Sequence, residues 1–128
     1  MENNQVFRNF ELPEKRGWLD KRSKNLIRRW QSRYFVLKNR ILEYYYSVSD
    51  PSPAMRFNFN QVEADLTFQN SGKLPNIILS FSGCKQKLKL KAENERNFFE
   101  WVEALNKHIS DFRAAKWINL SVSSKEAN

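Results

Sequence analysis

Glycine is scarce in this chain: three residues in 128. That excludes a glycine-rich phosphate loop of the Walker or dinucleotide type, which needs several glycines within a few positions. Cysteine is rarer still. Cys84 stands alone, so no internal disulfide can form, and a reducing, intracellular setting is expected. There is one histidine, His108, and no recognisable Ser–His–Asp or Cys–His constellation, so catalysis is not expected. Long apolar runs are missing too: nothing approaches the roughly eighteen residues that a membrane span needs. The N-terminus lacks a basic-then-apolar signal pattern.

Acidic residues are missing from one place in particular. Residues 17–40 carry eight cations against Asp20 alone, and they hold most of the net charge of +8. Within them, KRSKNLIRRWQSR at 21–33 has Lys21, Arg22, Lys24, Arg28, Arg29 and Arg33 around a bare aliphatic pair, Leu26-Ile27. A solubilising surface normally mixes both signs. A one-signed patch attracts polyanions: nucleic acid, acidic lipid or an acidic protein. The second basic stretch, KQKLKLKA at 85–92, alternates Lys85, Lys87, Lys89 and Lys91 with Leu88 and Leu90, and reads as a solvated strand face.

What is present is a hydrophobic content of 41% with eighteen aromatics, enough for a real core in one domain. Residues 1–16 show no periodicity and read as an N-terminal extension, with Phe7 or Phe10 available to pack on the domain. From Gly17 the pattern is strand-like. GWLDKR is short and aromatic. WQSRYFVLK alternates, placing Arg33, Phe35 and Leu37 on one face. Lys38-Asn39-Arg40 reads as a hairpin turn leading to ILEYYYS, and the prolines of DPSP at 50–53 mark a loop. MRFNFN, QVEADLTFQ, PNIILSFS and KQKLKLKA follow, separated by turn signals. That makes about seven short strands with no helix between them.

Then the period changes. Phe98, Trp101, Val102, Leu105, Ile109 and Phe112 fall three and four apart, one helical stripe with Asn94 as N-cap. Residues 117–128 read as a polar tail. His108 has no cysteine or carboxylate at metal spacing and reads as a surface residue. Cys84 falls in a turn and reads as unreactive. Seven antiparallel strands must curl to hide an apolar face and their edges. The expected fold is mainly β: a strongly bent seven-stranded antiparallel barrel, or two near-orthogonal sheets, capped by one C-terminal α-helix with Trp101 as the stopper.

G-W-L-x-K at 17–21, W-x-x-R-Y-F-V-L at 30–37, L-x-Y-Y at 42–45 and the tryptophan of F-F-E-W-V-E-A-L together resemble a pleckstrin homology (PH) domain over about 17–112. The domain is expected to run over 17–116. The resemblance implies a non-catalytic lipid-binding module, cytoplasmic and peripherally membrane-associated. It would bind phosphoinositide or other anionic head groups at the open barrel end and would need no cofactor or metal. By the family pattern, Lys21 ends the first strand as a phosphate ligand and Arg33 is the second basic residue of the next strand. Gln31 stands where the family's first basic residue would be, so Lys24, Arg28 or Arg29 would substitute from the loop beside Arg22. Tyr44 matches a tyrosine that touches head-group phosphate.

Alternation gives the same pairing a physical reason. Lys21 shares a face with Leu19, and Arg33 with Phe35 and Leu37, so two cations converge at the rim of the barrel. For Leu26 and Ile27 two readings stand open: a membrane-inserting loop tip, or a pair folded back on the barrel. The alternative function is a protein-interaction module that accepts an extended peptide along a sheet edge. Nucleic-acid binding is disfavoured, since most aromatics fall at core-facing positions rather than on a stacking platform.

Overall fold

The computed structural model describes residues 12–24 and 29–110. Strand β1 (Lys15–Arg22) pairs antiparallel with β2 (Trp30–Lys38), which pairs with β3 (Ile41–Tyr45), which pairs with β4 (Met55–Asn58). On its other side β1 meets β7 (Leu88–Lys91), which pairs with β6 (Asn76–Phe81), and β6 with β5 (Ala64–Gln69). All seven strands therefore lie in one antiparallel sheet, in the order β4-β3-β2-β1-β7-β6-β5. Helix α1, residues 95–110, follows β7.

The sheet bends where β1 passes from one partner to the other. Only Asp20 and Lys21 pair with β7, opposite Lys91 and Leu90, whereas all eight residues of β1 pair with β2. The bend carries β4 over towards β6. There Phe57 stacks on Phe81 at 4.9 Å with the rings 9° from parallel, and Phe59 stacks on the same ring at 6.2 Å. Side chains rather than a ladder thus close this side, and β4 and β5 are the two edges.

The interior face follows from the strand alternation. Leu19, Phe35, Leu37, Leu42, Ile77, Leu79, Leu88 and Leu90 are buried, and the α1 stripe of Phe98, Trp101, Leu105 and Ile109 covers them. Trp101 is 1% exposed, meets Phe35 edge-on at 6.4 Å, and approaches within 3.8 Å of where a Cβ on Gly17 would sit. The helix starts where expected. Asn94 Oδ1 accepts the Asn97 N–H at 2.9 Å, and the Asn94 carbonyl accepts the Phe98 N–H. The β2–β3 turn is a two-residue hairpin with positive φ at both Asn39 (53°) and Arg40 (62°).

Three sequence readings change. Strand β1 begins at Lys15, two residues before Gly17, because Lys15 and Arg16 continue the pairing onto Leu37 and Val36. The lysine-rich strand is shorter than its alternation: only Leu88–Lys91 forms β7, since β6 pairs no further than Leu79 with Leu88. His108 is not on the surface but fully buried. It stands three residues after Leu105 and seven after Trp101, inside the helical stripe. Its Nδ1 accepts the Arg40 N–H at 3.0 Å, leaving Nε2 to donate to the Pro13 carbonyl at 2.8 Å. One imidazole thereby ties the strained β2–β3 turn to α1 and to the segment entering β1.

Candidate anion-binding site at the open end

Residues directly opposed in an antiparallel pair share a face. Leu19 opposes Arg33, Gly17 opposes Phe35, and Phe35 opposes Tyr44. The row that holds the buried Leu19 and Phe35 therefore continues outward to Lys21, Gln31, Arg33 and Tyr44. These four residues form one wall of the open end, where the β1–β2 and β3–β4 connections lie.

Lys21 is 6% exposed. Its ammonium lies 5.3 Å from the centroid of the Tyr44 ring, and among the described residues its one hydrogen bond is a long one, 3.5 Å, to the Arg22 carbonyl. Burial pushes its pKa below the ordinary lysine value, and the like charges of Arg33 and then Lys24 push it further down. Tyr44 is half-buried, packed on Phe35 at 5.3 Å and Phe57 at 6.5 Å. Burial raises its pKa, Tyr46 adds to the rise, and the Arg33 charge opposes it. The Arg33 guanidinium sits 4.5 Å from the centroid of the Tyr46 ring and donates from Nη1 to the Ser32 carbonyl at 2.8 Å.

Above this wall the hairpin is pinched shut. The Ser23 N–H donates to the Arg29 carbonyl at 2.8 Å, and the Arg29 N–H returns a bond to Ser23 Oγ at 3.1 Å. Lys24 and Arg29 thus flank the mouth, both exposed. Leu26, Ile27 and Arg28, the expected loop tip, lie outside the described residues.

Arg22 departs from its companions. Alternation turns it to the outer face of β1, where its guanidinium lies 5.4 Å from the Trp30 ring and Lys91 lies 5.6 Å from the same ring. There it lines a groove of about 650 Å³ with Lys24, Lys87 and Lys89, beside Phe68 and Ile78. The structure therefore brings Lys21, Arg33 and Tyr44 together, sets Lys24 and Arg29 at the rim, and separates Arg22 from them.

The charges explain what the mouth can do. Elsewhere cations find carboxylates: Lys15 with Glu100, Arg16 with Glu14, Arg56 with Glu43, and Lys107 with Glu103. Among the described residues no carboxylate pairs with Lys21, Lys24, Arg29 or Arg33. A lysine whose side chain is mostly buried and a guanidinium on the same wall, without a carboxylate partner among the described residues, are arranged to accept an external anion. Two contributors escaped the sequence reading. Tyr46, two residues beyond Tyr44, is the platform under Arg33. Ser23 fixes the neck, and only the register reveals it.

The family model for the PH domain matches residues 13–110. A probable serine/threonine-protein kinase of Dictyostelium discoideum is 26% identical over 121 residues, which are 86% of this chain but 5% of that protein. The chain thus spans a small fraction of this curated relative. Two solved structures share the fold. One is the C-terminal PH domain of pleckstrin in complex with D-myo-Ins(1,2,3,5,6)P5: TM-score 0.63, 20% identity, covering 74% of this chain and 93% of that one. The other is the Slm1 PH domain in complex with inositol 4-phosphate: TM-score 0.63, 19% identity, covering 74% and 94%.

Proposed function

The chain belongs to the PH domain family, a family of non-catalytic binding modules, and on that premise we propose that it binds the phosphorylated head group of an anionic membrane lipid at the open end of its sheet. The proposal extends to place: a phosphoinositide is the preferred head-group class, and the bound protein sits at the cytoplasmic surface of a membrane. One observation carries this reading. Lys21 is almost wholly buried beside Tyr44, has no carboxylate partner among the described residues, and shares its wall with Arg33.

A phosphate seated there would receive the Lys21 point charge and the Arg33 fork. Each such charge-assisted bond contributes about 1.5–3 kcal/mol net. Gln31, between the two on the same face, offers an amide donor where a third cation would add charge. Lys24 and Arg29 extend the field outward, at about 1 kcal/mol per basic side chain near an anionic surface. Two of the similar folds were solved with inositol phosphates, which supports the same ligand class.

The experiment is sedimentation with vesicles of phosphatidylcholine, of phosphatidylcholine with phosphatidylserine, and of both with mixed phosphoinositides. Binding should rise in that order. It should weaken strongly when salt shortens the screening length from about 8 Å to about 3 Å. Equal binding to neutral vesicles, or indifference to salt, contradicts the proposal.

A further inference from the structure

Six large hydrophobic side chains are exposed among the described residues: Trp18, Tyr46, Val48, Met55, Phe68 and Phe99. Trp18 leans edge-on against Tyr34. Phe68 and Phe99 both pack on Phe98, 5.8 and 5.3 Å away. The other three cluster at one connection: Tyr46 and Val48 lie in the loop between β3 and β4 and Met55 opens β4, and that loop borders the cationic mouth. Met55 opposes Tyr44, and Tyr46 lies under the Arg33 guanidinium.

We propose that the β3–β4 connection, residues 46–54, together with Met55 at the start of β4, is a bilayer-contacting surface, with Tyr46, Val48 and Met55 entering an anionic membrane while Lys21 and Arg33 hold a head group beside them. This rests on the membrane reading above and deepens it.

The loop is built to lose water cheaply. The Ala54 N–H donates to the Tyr44 carbonyl at 2.8 Å and closes its neck. At its start the Asp50 N–H donates to the Ser47 carbonyl at 3.2 Å, and the Ser49 N–H donates to Ser47 Oγ at 3.3 Å. Pro51 and Pro53 have no N–H to desolvate. The loop's one acid, Asp50, is half-buried and folded back, its Oδ2 accepting the Ser47 N–H at 3.1 Å. Val48, 63% exposed, is thus presented by a turn in which the Ser47, Ser49 and Asp50 N–H groups bond within the turn itself. The occupant follows from charge: three exposed apolar side chains beside cations that have no carboxylate partner among the described residues fit a surface that is apolar inside and anionic at its face.

The test pairs two ligands. Wild type and the double variant Val48→Ser/Met55→Ser are titrated with soluble inositol hexakisphosphate, and with vesicles of phosphatidylcholine, phosphatidylserine and mixed phosphoinositides. Circular dichroism checks that both fold. The variant should bind the soluble anion as wild type does and the vesicles about tenfold less tightly, for partial burial of two apolar side chains. A nitrobenzoxadiazole label on Val48→Cys, in a Cys84→Ser background, should shift to the blue with vesicles and not with the soluble anion. Unchanged vesicle affinity, or a label still in water, overturns the loop's role and leaves the head-group reading standing. Equal losses in both titrations mean that the loop shapes the pocket, which also overturns it. A wild type that binds the soluble anion but no vesicles overturns the loop and the membrane together.

Discussion

A lysine side chain that is almost wholly buried, beside an aromatic ring and without a carboxylate among the described residues, costs the folded state more than it returns. Lys21 is in that position. Lys21→Met keeps the apolar stem and removes the charge. It should therefore stabilise the unliganded protein by about 1 kcal/mol, or about 4–8 °C in a domain near 100 residues. The same change should weaken anion binding about 10- to 100-fold, the loss of one charge-assisted bond. Thermal melts and calorimetry read both. A variant that melts lower and binds as before would show that Lys21 is structural. The sign of the pH effect follows from the same burial. The folded-state pKa lies below the ordinary value of 10.5, so above the lowered pKa the unfolded chain holds more protons than the folded one. Wild type should gain on Lys21→Met as pH rises through that window, and the gap between them should narrow.

His108 makes the complementary case, a buried polar group with a hydrogen bond at each ring nitrogen. His108→Ala would leave the Arg40 N–H and the Pro13 carbonyl without those bonds. At about 1–3 kcal/mol for each unsatisfied buried group, the loss should be about 2–4 kcal/mol in chemical denaturation. A loss below about 0.5 kcal/mol, the size of an ordinary surface substitution, would contradict the latch.

Among the elements, helix α1 has the clearest task. Its Trp101 fills the interior against Phe35 and the β1 backbone at Gly17. Trp101→Ala should cost about 3–5 kcal/mol, against a typical total of about 5–15 kcal/mol. The melting temperature should fall sharply with or without ligand; unchanged stability would mean that the helix is not the plug. The element level is also where the sequence was most legible. In β2 the alternation of Arg33, Phe35 and Leu37 marked the inner face, because a half-buried strand shows its period of two. The apolar positions of α1 were plain for the same reason at a period of 3.6. Legibility ended where burial did not follow residue type. His108 was read as surface because it is polar, although its spacing placed it in the stripe. Arg22 was grouped with Lys21 by adjacency, although adjacent strand residues face opposite ways. The lysines of 85–87 alternate like a strand but have no paired neighbour on β6. Cross-chain partnerships such as Arg33 with Tyr46, or Trp30 between Arg22 and Lys91, depend on register, which no single segment encodes.

At the scale of the whole molecule, the bent sheet has two basic faces that meet near the β1–β2 hairpin. One is the mouth of Lys21, Gln31, Arg33 and Tyr44. The other is the outer groove of Arg22, Lys24, Lys87 and Lys89. Net charge alone attracts anions to both, and among the described residues only the first holds a buried cation without a carboxylate partner. The proposed head-group site is therefore the mouth. The most direct test is the amide spectrum of the isotope-labelled protein during titration with inositol hexakisphosphate. The largest shifts should fall at Lys21, Gln31 to Arg33 and Tyr44, and Arg33→Ala should abolish them. Largest shifts at Thr67 to Gln69, Ile78 and Lys87 to Lys89, with the mouth silent, would contradict it.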